Sequence, residues 1–327
     1  MTQPTADVGL IGLGVMGRNL ALNLDDHGLT VVGFDRDAAQ RDAFLAEAGG
    51  RSLRGAASPL DLAASLRRPR RILLLVPAGP PVDEAIAALL PGLTPGDIII
   101  DGGNSHYGDT VGRAERLESL GLLFVGLGIS GGAAGARSGP SLMAGGSPAA
   151  RPQVEDWLQA IAARTPEGEP CYSWLGAGGA GHYVKMVHNG IEYGAMQVLA
   201  EAYHLLRDGA CLSNNEMHEV FADWAGGELG SYLMEITRDI LARVDGKGRH
   251  VLDSILDVAG QKGTGQWAVQ SAADLGAPAT LAAEAVFARA LSARLDERRT
   301  AAASLPGPTV APPGDRSAFV ADLQHAI

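Results

Sequence analysis

The stretch Val8–Gly17, "VGLIGLGVMG", decides the fold. Four apolar positions run straight into Gly12, Gly14 and Gly17, and helical spacing follows in "GRNLALNLDDHG". A G-x-G-x-x-G placed between a strand and a helix is a dinucleotide turn. The first glycine permits the tight turn. The second lets backbone approach a pyrophosphate, and the third lets the helix pack on the strand. The helix N-terminus then attracts the phosphates. Val15 and Met16 complete the turn. Asp35 ends the next apolar run, "TVVGFDRD", where an acid binds a ribose 2′-hydroxyl. Asp35 repels a 2′-phosphate and favours NAD. Arg36 beside it suits a 2′-phosphate or stacks on adenine. The local sequence therefore points to both NAD and NADP.

Outward from that turn, "RRILLLVPAG", "GDIIIDGGN" and "LLFVGLGIS" are short, near-continuously apolar runs separated by helical stretches such as "PVDEAIAALLPGL". Continuous apolar strands alternating with helices predict a doubly wound parallel sheet covered on both faces. From about Ala180 the strand signals stop. "GHYVKMVHNGIEYGAMQVLAEAYHLLRDG" reads as one long helix, and "NNEMHEVFADWAG", "LGSYLMEITRDILARV", "HVLDSILDVAG" and "LAAEAVFARALSARLDERRTAAASL" carry helical spacing. The expected organisation is a Rossmann-type domain over 1–178 and an all-α domain over 179–327. After a Pro/Gly-rich loop, "PGPTVAPPGD", a last amphipathic helix is expected. Asp315 is its cap, and Phe319, Val320, Leu323 and Ile327 form its stripe.

Composition narrows the class. The 327 residues hold 46% hydrophobic residues and 44 glycines, with a formal net charge of −11. That charge disfavours sequence-independent binding to nucleic acid or an anionic membrane. Cys171 and Cys211 fall in no metal-ligand spacing and make no disulfide framework. No basic n-region opens the chain and no apolar run spans a bilayer, so a cytoplasmic protein is expected.

The long helix is unusual. In "VKMVHNGIEYG", Lys185, His188, Asn189, Glu192 and Tyr193 fall at i, i+3, i+4, i+7 and i+8, one helix face that normally carries the apolar stripe. Asn104 in "DGGNS" and the Ser130-Gly131-Gly132 turn follow strands, where open α/β sheets bind ligands.

These stretches together resemble the 6-phosphogluconate dehydrogenase family. The matching runs are "GLGVMGRNLALN", "DGGNS", "SGGAAGARSGPSLM", "GHYVKMVHNGIEYG", "AGQKGTGQW" and "AVFAR". The resemblance implies oxidative decarboxylation of 6-phosphogluconate to ribulose 5-phosphate in the pentose phosphate pathway, with NADP or NAD and no metal, in a cytoplasmic homodimer. It implies that Lys185 is the general base, with a pKa lowered enough to be neutral, and that Glu192 protonates C1 of the enediol. Asn104, Ser130, Gly131, Gly132, His188 and Asn189 match contacts to the sugar acid. Tyr193, Lys262 and Arg289 match phosphate contacts. Val76, Ala78 and Asn104 join the glycine turn, Asp35 and Arg36 around the cofactor. The polar stripe is thus expected to face the substrate.

The chain departs from the family pattern. Family members of the long form continue well past this C-terminus and supply an arginine and a histidine to the partner's site, so a truncated long form is expected. A shorter, NAD-preferring branch shares "VPAG" and Asp35. Ala133, Ala134, Ala195, Gln266 and Gly112 replace common charged residues. Two other readings stand beside the leading one. The first is a dehydrogenase of a small unphosphorylated β-hydroxyacid, and the second is an impaired dinucleotide-binding remnant.

Overall fold

The computed structural model describes residues 6–307 and 312–327. The first five residues, and 308–311 of the Pro/Gly-rich loop, lie outside them. Two compact units divide between His188 and Asn189.

The first unit is built on an eight-stranded sheet. Its strands are β1 (Val8–Ile11), β2 (Val31–Phe34), β3 (Leu53–Gly55), β4 (Arg71–Leu74), β5 (Ile98–Asp101), β6 (Leu123–Ser130), β7 (Ser141–Gly146) and β8 (Tyr172–Trp174). The order is β3-β2-β1-β4-β5-β6-β7-β8. Strands β1 to β6 are parallel, β7 is antiparallel to β6, and β8 is parallel to β7. The order reverses between β1 and β4, the switch point at which such sheets bind ligands.

Helices α1 (Val15–Asp26), α2 (Ala38–Ala48), α3 (Pro59–Ala64), α4 (Pro80–Leu89), α5 (Tyr107–Glu118), α6 (Gly132–Ser138) and α7 (Arg151–Ile161) accompany it. Side chains of a strand alternate between faces. Accordingly Leu73, Ile98 and Ile100 enter one core with Leu20, Phe44 and Leu158. Ile72, Leu74 and Ile99 enter another with Leu62, Ile86 and Leu117. Two buried faces explain why these strands read as continuous apolar runs.

The sequence reading missed β3, β7 and β8. Strands β3 and β8 hold only three residues each, and β7 breaks the apolar pattern: it is "SLMAGG", half of it glycine or alanine. Its antiparallel pairing also departs from the wholly parallel sheet expected. A strand returning after only the short α6 has no room for a parallel crossover.

Helix α8 (Ala180–His204) is the expected long helix, and it ends in a π turn at Leu205–Gly209. In the second unit, α9 (Asn214–Ala225) begins with a Ser213/Glu216 capping box, and Ser231 caps α10 (Tyr232–Ala242). Met217, Phe221, Trp224, Met234 and Leu241 pack into one core with Ala202 and Leu206. Helix α14 (Arg316–Ala326) is capped by the Asp315 carboxylate, as expected, and lays Val320, Leu323 and Ile327 on that core.

Two helical expectations are corrected. "HVLDSILDVAG" forms only a 3₁₀ turn at Val251–Ser254, because Ile255 and Leu256 find no core and stay exposed. The segment 281–305 is broken into α12 (Thr280–Ser292) and α13 (Leu295–Ser304). There the Arg298 guanidinium donates to the Ser292 carbonyl at 3.0 Å, satisfying the end of α12. Helix α11 (Thr264–Asp274) completes the unit. No helix among the described residues is long and apolar enough to cross a membrane.

Candidate active site

The glycine turn has the geometry a dinucleotide needs. Gly12 has φ +98°, and a Cβ there would lie 2.3 Å from the Leu75 carbonyl oxygen. A Cβ on Gly17 would lie 2.0 Å from the Gly12 carbonyl oxygen. Only glycine lets β1, β4 and α1 approach this closely. Above Gly14 a Cβ meets nothing within 4 Å, and no side chain caps α1. Open space before an uncapped helix N-terminus suits phosphate oxygens.

Asp35 accepts the Leu13 N–H at 2.7 Å and the Asp37 N–H at 2.9 Å, so its carboxylate is fixed beside the turn. A cavity of about 420 Å³ is lined by Gly12, Gly14, Asp35, Arg36, Asp37 and Val76, among others. Arg36 is its one cationic lining residue among those described, against Asp35, Asp37 and Glu84. Arg36 sits 3.7 Å from Glu84. Ala78 is exposed just beyond β4, and Val15 is exposed at the head of α1 with Met16 half-buried behind it.

Helix α8 is inverted relative to an ordinary amphipathic helix. Lys185 and Asn189 are buried, and His188, Glu192 and Tyr193 are half-buried, while Val184, Val187 and Ile191 are exposed. In the first unit the helix seats on glycines of β6. A Cβ on Gly128 would meet the Lys185 Cβ at 2.5 Å. A Cβ on Gly181 would lie 2.3 Å from the Gly126 carbonyl oxygen. Lys185 is thereby pressed against the sheet at 6% exposure, where its ammonium form loses hydration. Ser130 Oγ and His188 Nε2 are 3.3 Å apart, so the Ser130-Gly131-Gly132 turn meets α8 there. Gly131 and Gly132 have φ +124° and +60° and open α6. Asn104 is exposed in the turn after β5.

The turn carrying Asn104 is held by a group the sequence reading did not single out. Asp101, fully buried, accepts the Gly103 N–H at 3.0 Å and the Ser105 hydroxyl at 2.6 Å. His182 was missed as well. It lies three residues before Lys185 and so extends the polar stripe by one turn, a signal present in the spacing. It is 1% exposed, between the Thr110 hydroxyl at 2.6 Å and the Asp101 carbonyl at 3.0 Å.

Burial holds the His182 pKa below its ordinary 6.5, with the Asp101 charge opposing. The folded protein therefore binds fewer protons here than the unfolded chain. The stability this supplies is fully present above pH 6.5 and is lost as pH falls through the folded pKa. The denaturation midpoint is expected to drop between pH 7 and pH 5. Denaturant titrations of the parent chain and His182→Gln check this: the variant's drop should be smaller.

In the second unit, Asn189 donates to the Thr264 hydroxyl at 3.1 Å. A Cβ on Gly265 would meet the Tyr193 ring at 2.6 Å. The Arg289 guanidinium stacks on Tyr193 at 3.7 Å and donates to the Gly260 carbonyl at 2.8 Å. Tyr193, Arg289 and the "GQKGTG" loop are thus brought together, with Lys262 exposed on that loop. Tyr193 and Arg289 line a cavity of about 690 Å³; Lys262 does not. Glu192 lies seven residues beyond Lys185 on α8.

Residues 7–176 match the NAD binding domain of 6-phosphogluconate dehydrogenase, and 181–327 match the 6-phosphogluconate dehydrogenase C-terminal domain. The decarboxylating 6-phosphogluconate dehydrogenase 2 of Saccharomyces cerevisiae is 54% identical over 330 residues, covering 100% of this chain and 67% of its own. The Homo sapiens decarboxylating enzyme is 52% identical, covering 98% of this chain and 67% of its own. The chain thus spans about two thirds of these relatives. A solved Plasmodium falciparum 6-phosphogluconate dehydrogenase, described with its cofactor NADP+ and its substrate 6-phosphogluconate, superposes with a TM-score of 0.91 at 38% identity, over 98% of this chain and 69% of that one. A 3-hydroxyisobutyrate dehydrogenase from Salmonella typhimurium, at 22% identity and a TM-score of 0.68, shares the fold. With both parts of the chain matched by its models and full-length similarity above half, the chain belongs to the 6-phosphogluconate dehydrogenase family.

Proposed function

We propose that the protein oxidises and decarboxylates 6-phosphogluconate to ribulose 5-phosphate and CO2 while reducing a nicotinamide dinucleotide. The observation that carries this is Lys185, buried against Gly128 in a polar helix stripe that also holds His188, Asn189, Glu192 and Tyr193. The bound nicotinamide supplies the hydride acceptor. Neutral Lys185 takes the proton of the 3-hydroxyl as the C3–H bond breaks. The resulting 3-keto group is the electron sink for cleavage of the C1–C2 bond, so the carboxylate leaves as CO2. Protonated Lys185 then stabilises the enolate oxygen. Glu192 protonates the carbon that lost CO2, giving the ketose. One proton leaves the hydroxyl and one enters carbon, so the reaction is neutral in protons apart from the hydride.

In this reading Asn104, Ser130, Gly131, Gly132, His188 and Asn189 orient the hydroxyls and carboxylate. Tyr193, Lys262 and Arg289 hold the phosphate, for which cationic and hydroxyl donors are suited. Gly12, Gly14, Val15, Met16, Gly17, Asp35, Arg36, Val76, Ala78 and Asn104 hold the dinucleotide. Two copies associate as a homodimer, supported by the exposed Val184, Val187 and Ile191 along α8. Light scattering should return twice 33.7 kDa.

The coenzyme is NAD rather than NADP. Three carboxylates and one guanidinium line the pocket around Asp35, and a 2′-phosphate dianion is repelled there. Purified protein mixed with 6-phosphogluconate and either coenzyme tests the reading by absorbance of the reduced nicotinamide. Turnover with NAD exceeding that with NADP is expected. The Asp37 carboxylate caps α2 by accepting the Ala39 N–H at 2.9 Å, so the double variant Asp35→Asn, Asp37→Ser keeps the acceptor for Leu13 and a hydroxyl cap for α2 while removing two charges. It should shift the kcat/KM ratio towards NADP by about tenfold or more, since about 1.4 kcal/mol corresponds to tenfold. An unchanged ratio would mean these carboxylates do not set the preference.

A further inference from the structure

We propose that His182 is a positioning residue. It ties the turn of α8 that carries Lys185 to the turn after β5 that carries Asn104. The inference rests on the catalytic reading of Lys185 given above, but its geometry stands apart from that reading. His182 is one helical turn before Lys185, and both are buried. Its Nε2 faces the Asp101 carbonyl at 3.0 Å. A carbonyl only accepts, so Nε2 carries a proton and donates. Its Nδ1 faces Thr110 Oγ1 at 2.6 Å. In the neutral ring Nδ1 is an acceptor, so the Thr110 hydroxyl donates to it. That hydroxyl has one proton, and the His106 carbonyl at 3.2 Å is the weaker claimant.

The tautomer is thereby fixed, and the ring bridges α8 to two further elements, β5 and α5. The seat is cut to size. A Cβ on Gly126 would meet Thr110 Cγ2 at 2.8 Å and His182 Nδ1 at 3.0 Å, so this β6 glycine makes room for the pair. On the other side of the bridge, Asp101 uses its carboxylate to close the turn through Gly103 and Ser105, around Asn104. One residue, Asp101, therefore offers its carbonyl to the lysine helix and its side chain to the asparagine turn. The charged groups around the ring are the Asp101 carboxylate on β5 and Arg113 on α5, whose Nη1 lies 3.8 Å from that carboxylate. A displacement of a positioned group by about 1 Å costs on the order of 100-fold in rate.

Three variants test this: His182→Leu, His182→Gln and Thr110→Val. Hydrogen exchange followed by mass spectrometry is read at residues 101–105 and 182–188. Steady-state kinetics are measured alongside. In His182→Leu both segments should exchange faster together, and kcat should fall about 100-fold. The Gln amide reaches the Nε2 position and donates to the Asp101 carbonyl, so His182→Gln should recover protection of 101–105 and most of kcat. Thr110→Val keeps the side-chain shape and should raise exchange in both segments to a smaller degree. Faster exchange confined to α8 in His182→Leu, equal losses for Leu and Gln, or parent-like exchange in Thr110→Val would each overturn the proposal. If His182→Leu fails to fold, the Gln and Val variants decide. If the parent chain shows no turnover, the activity reading fails, and the exchange data still decide whether His182 couples the two turns.

Discussion

Lys185→Met is expected to lower kcat for 6-phosphogluconate by about 10²–10⁴-fold, the range a positioned general base supplies. Methionine matches the length of the lysine stem and brings no charge, so the seat against Gly128 is kept. The dinucleotide turn is built from β1, α1 and β2 and does not include this side chain. The dissociation constant for the dinucleotide should therefore stay within about threefold. Stopped-flow reduction of the coenzyme separates the two effects. Loss of binding together with turnover would mean that Lys185 supports the fold of the site rather than the proton transfer.

Gly12→Ala carries the second large effect, this time on binding and stability together. The residue has φ +98°, and its new Cβ would stand 2.3 Å from the Leu75 carbonyl oxygen and 2.7 Å from its carbon. Backbone, not a flexible side chain, is the obstacle. Forcing a non-glycine residue into this conformation costs about 1–3 kcal/mol, and overpacking adds about 1–3 kcal/mol. The β1–α1 turn must shift, and its amides leave the line of the pyrophosphate. A loss of on the order of 3 kcal/mol in unfolding free energy is expected, together with a dinucleotide affinity at least about tenfold weaker. Calorimetry of the free and coenzyme-saturated variant reads both. Parent-like affinity would show that the turn tolerates a side chain and that the close packing on Leu75 is not needed.

Much of this site is visible in the sequence because a few backbone positions are over-determined. Gly12, Gly14, Gly17 and Asp35 keep a fixed spacing across a strand, a turn and a helix, and each spacing has a separate physical cause. Helix α8 is legible because its polar residues recur at helical intervals, and the same pattern exposes Val184, Val187 and Ile191 on the opposite side. The missing strands tell the opposite story. In β7 the residues that matter are Gly145 and Gly146, which make room for other backbone rather than bury side chains. A reading based on apolar periodicity passes over such a strand. The helical spacing in "HVLDSILDVAG" failed for a related reason: periodicity shows where an apolar stripe would lie and not whether a core exists to receive it. Asp101 and His182 were passed over because their importance lies in contacts across 81 residues of chain. Once the fold is known, a carboxylate ending the run "IIID" and a histidine one turn before Lys185 are recognisable signals.

The central claim, that oxidation at C3 and loss of C1 occur on the same chain, is tested most directly with 6-phosphogluconate labelled with carbon-13 at C1. Labelled CO2, ribulose 5-phosphate and reduced coenzyme are measured together over the time course with the parent protein. The account predicts that the three appear in equal amounts from the first turnover. Reduced coenzyme without labelled CO2, or no product at all from protein that still binds the dinucleotide, would contradict it.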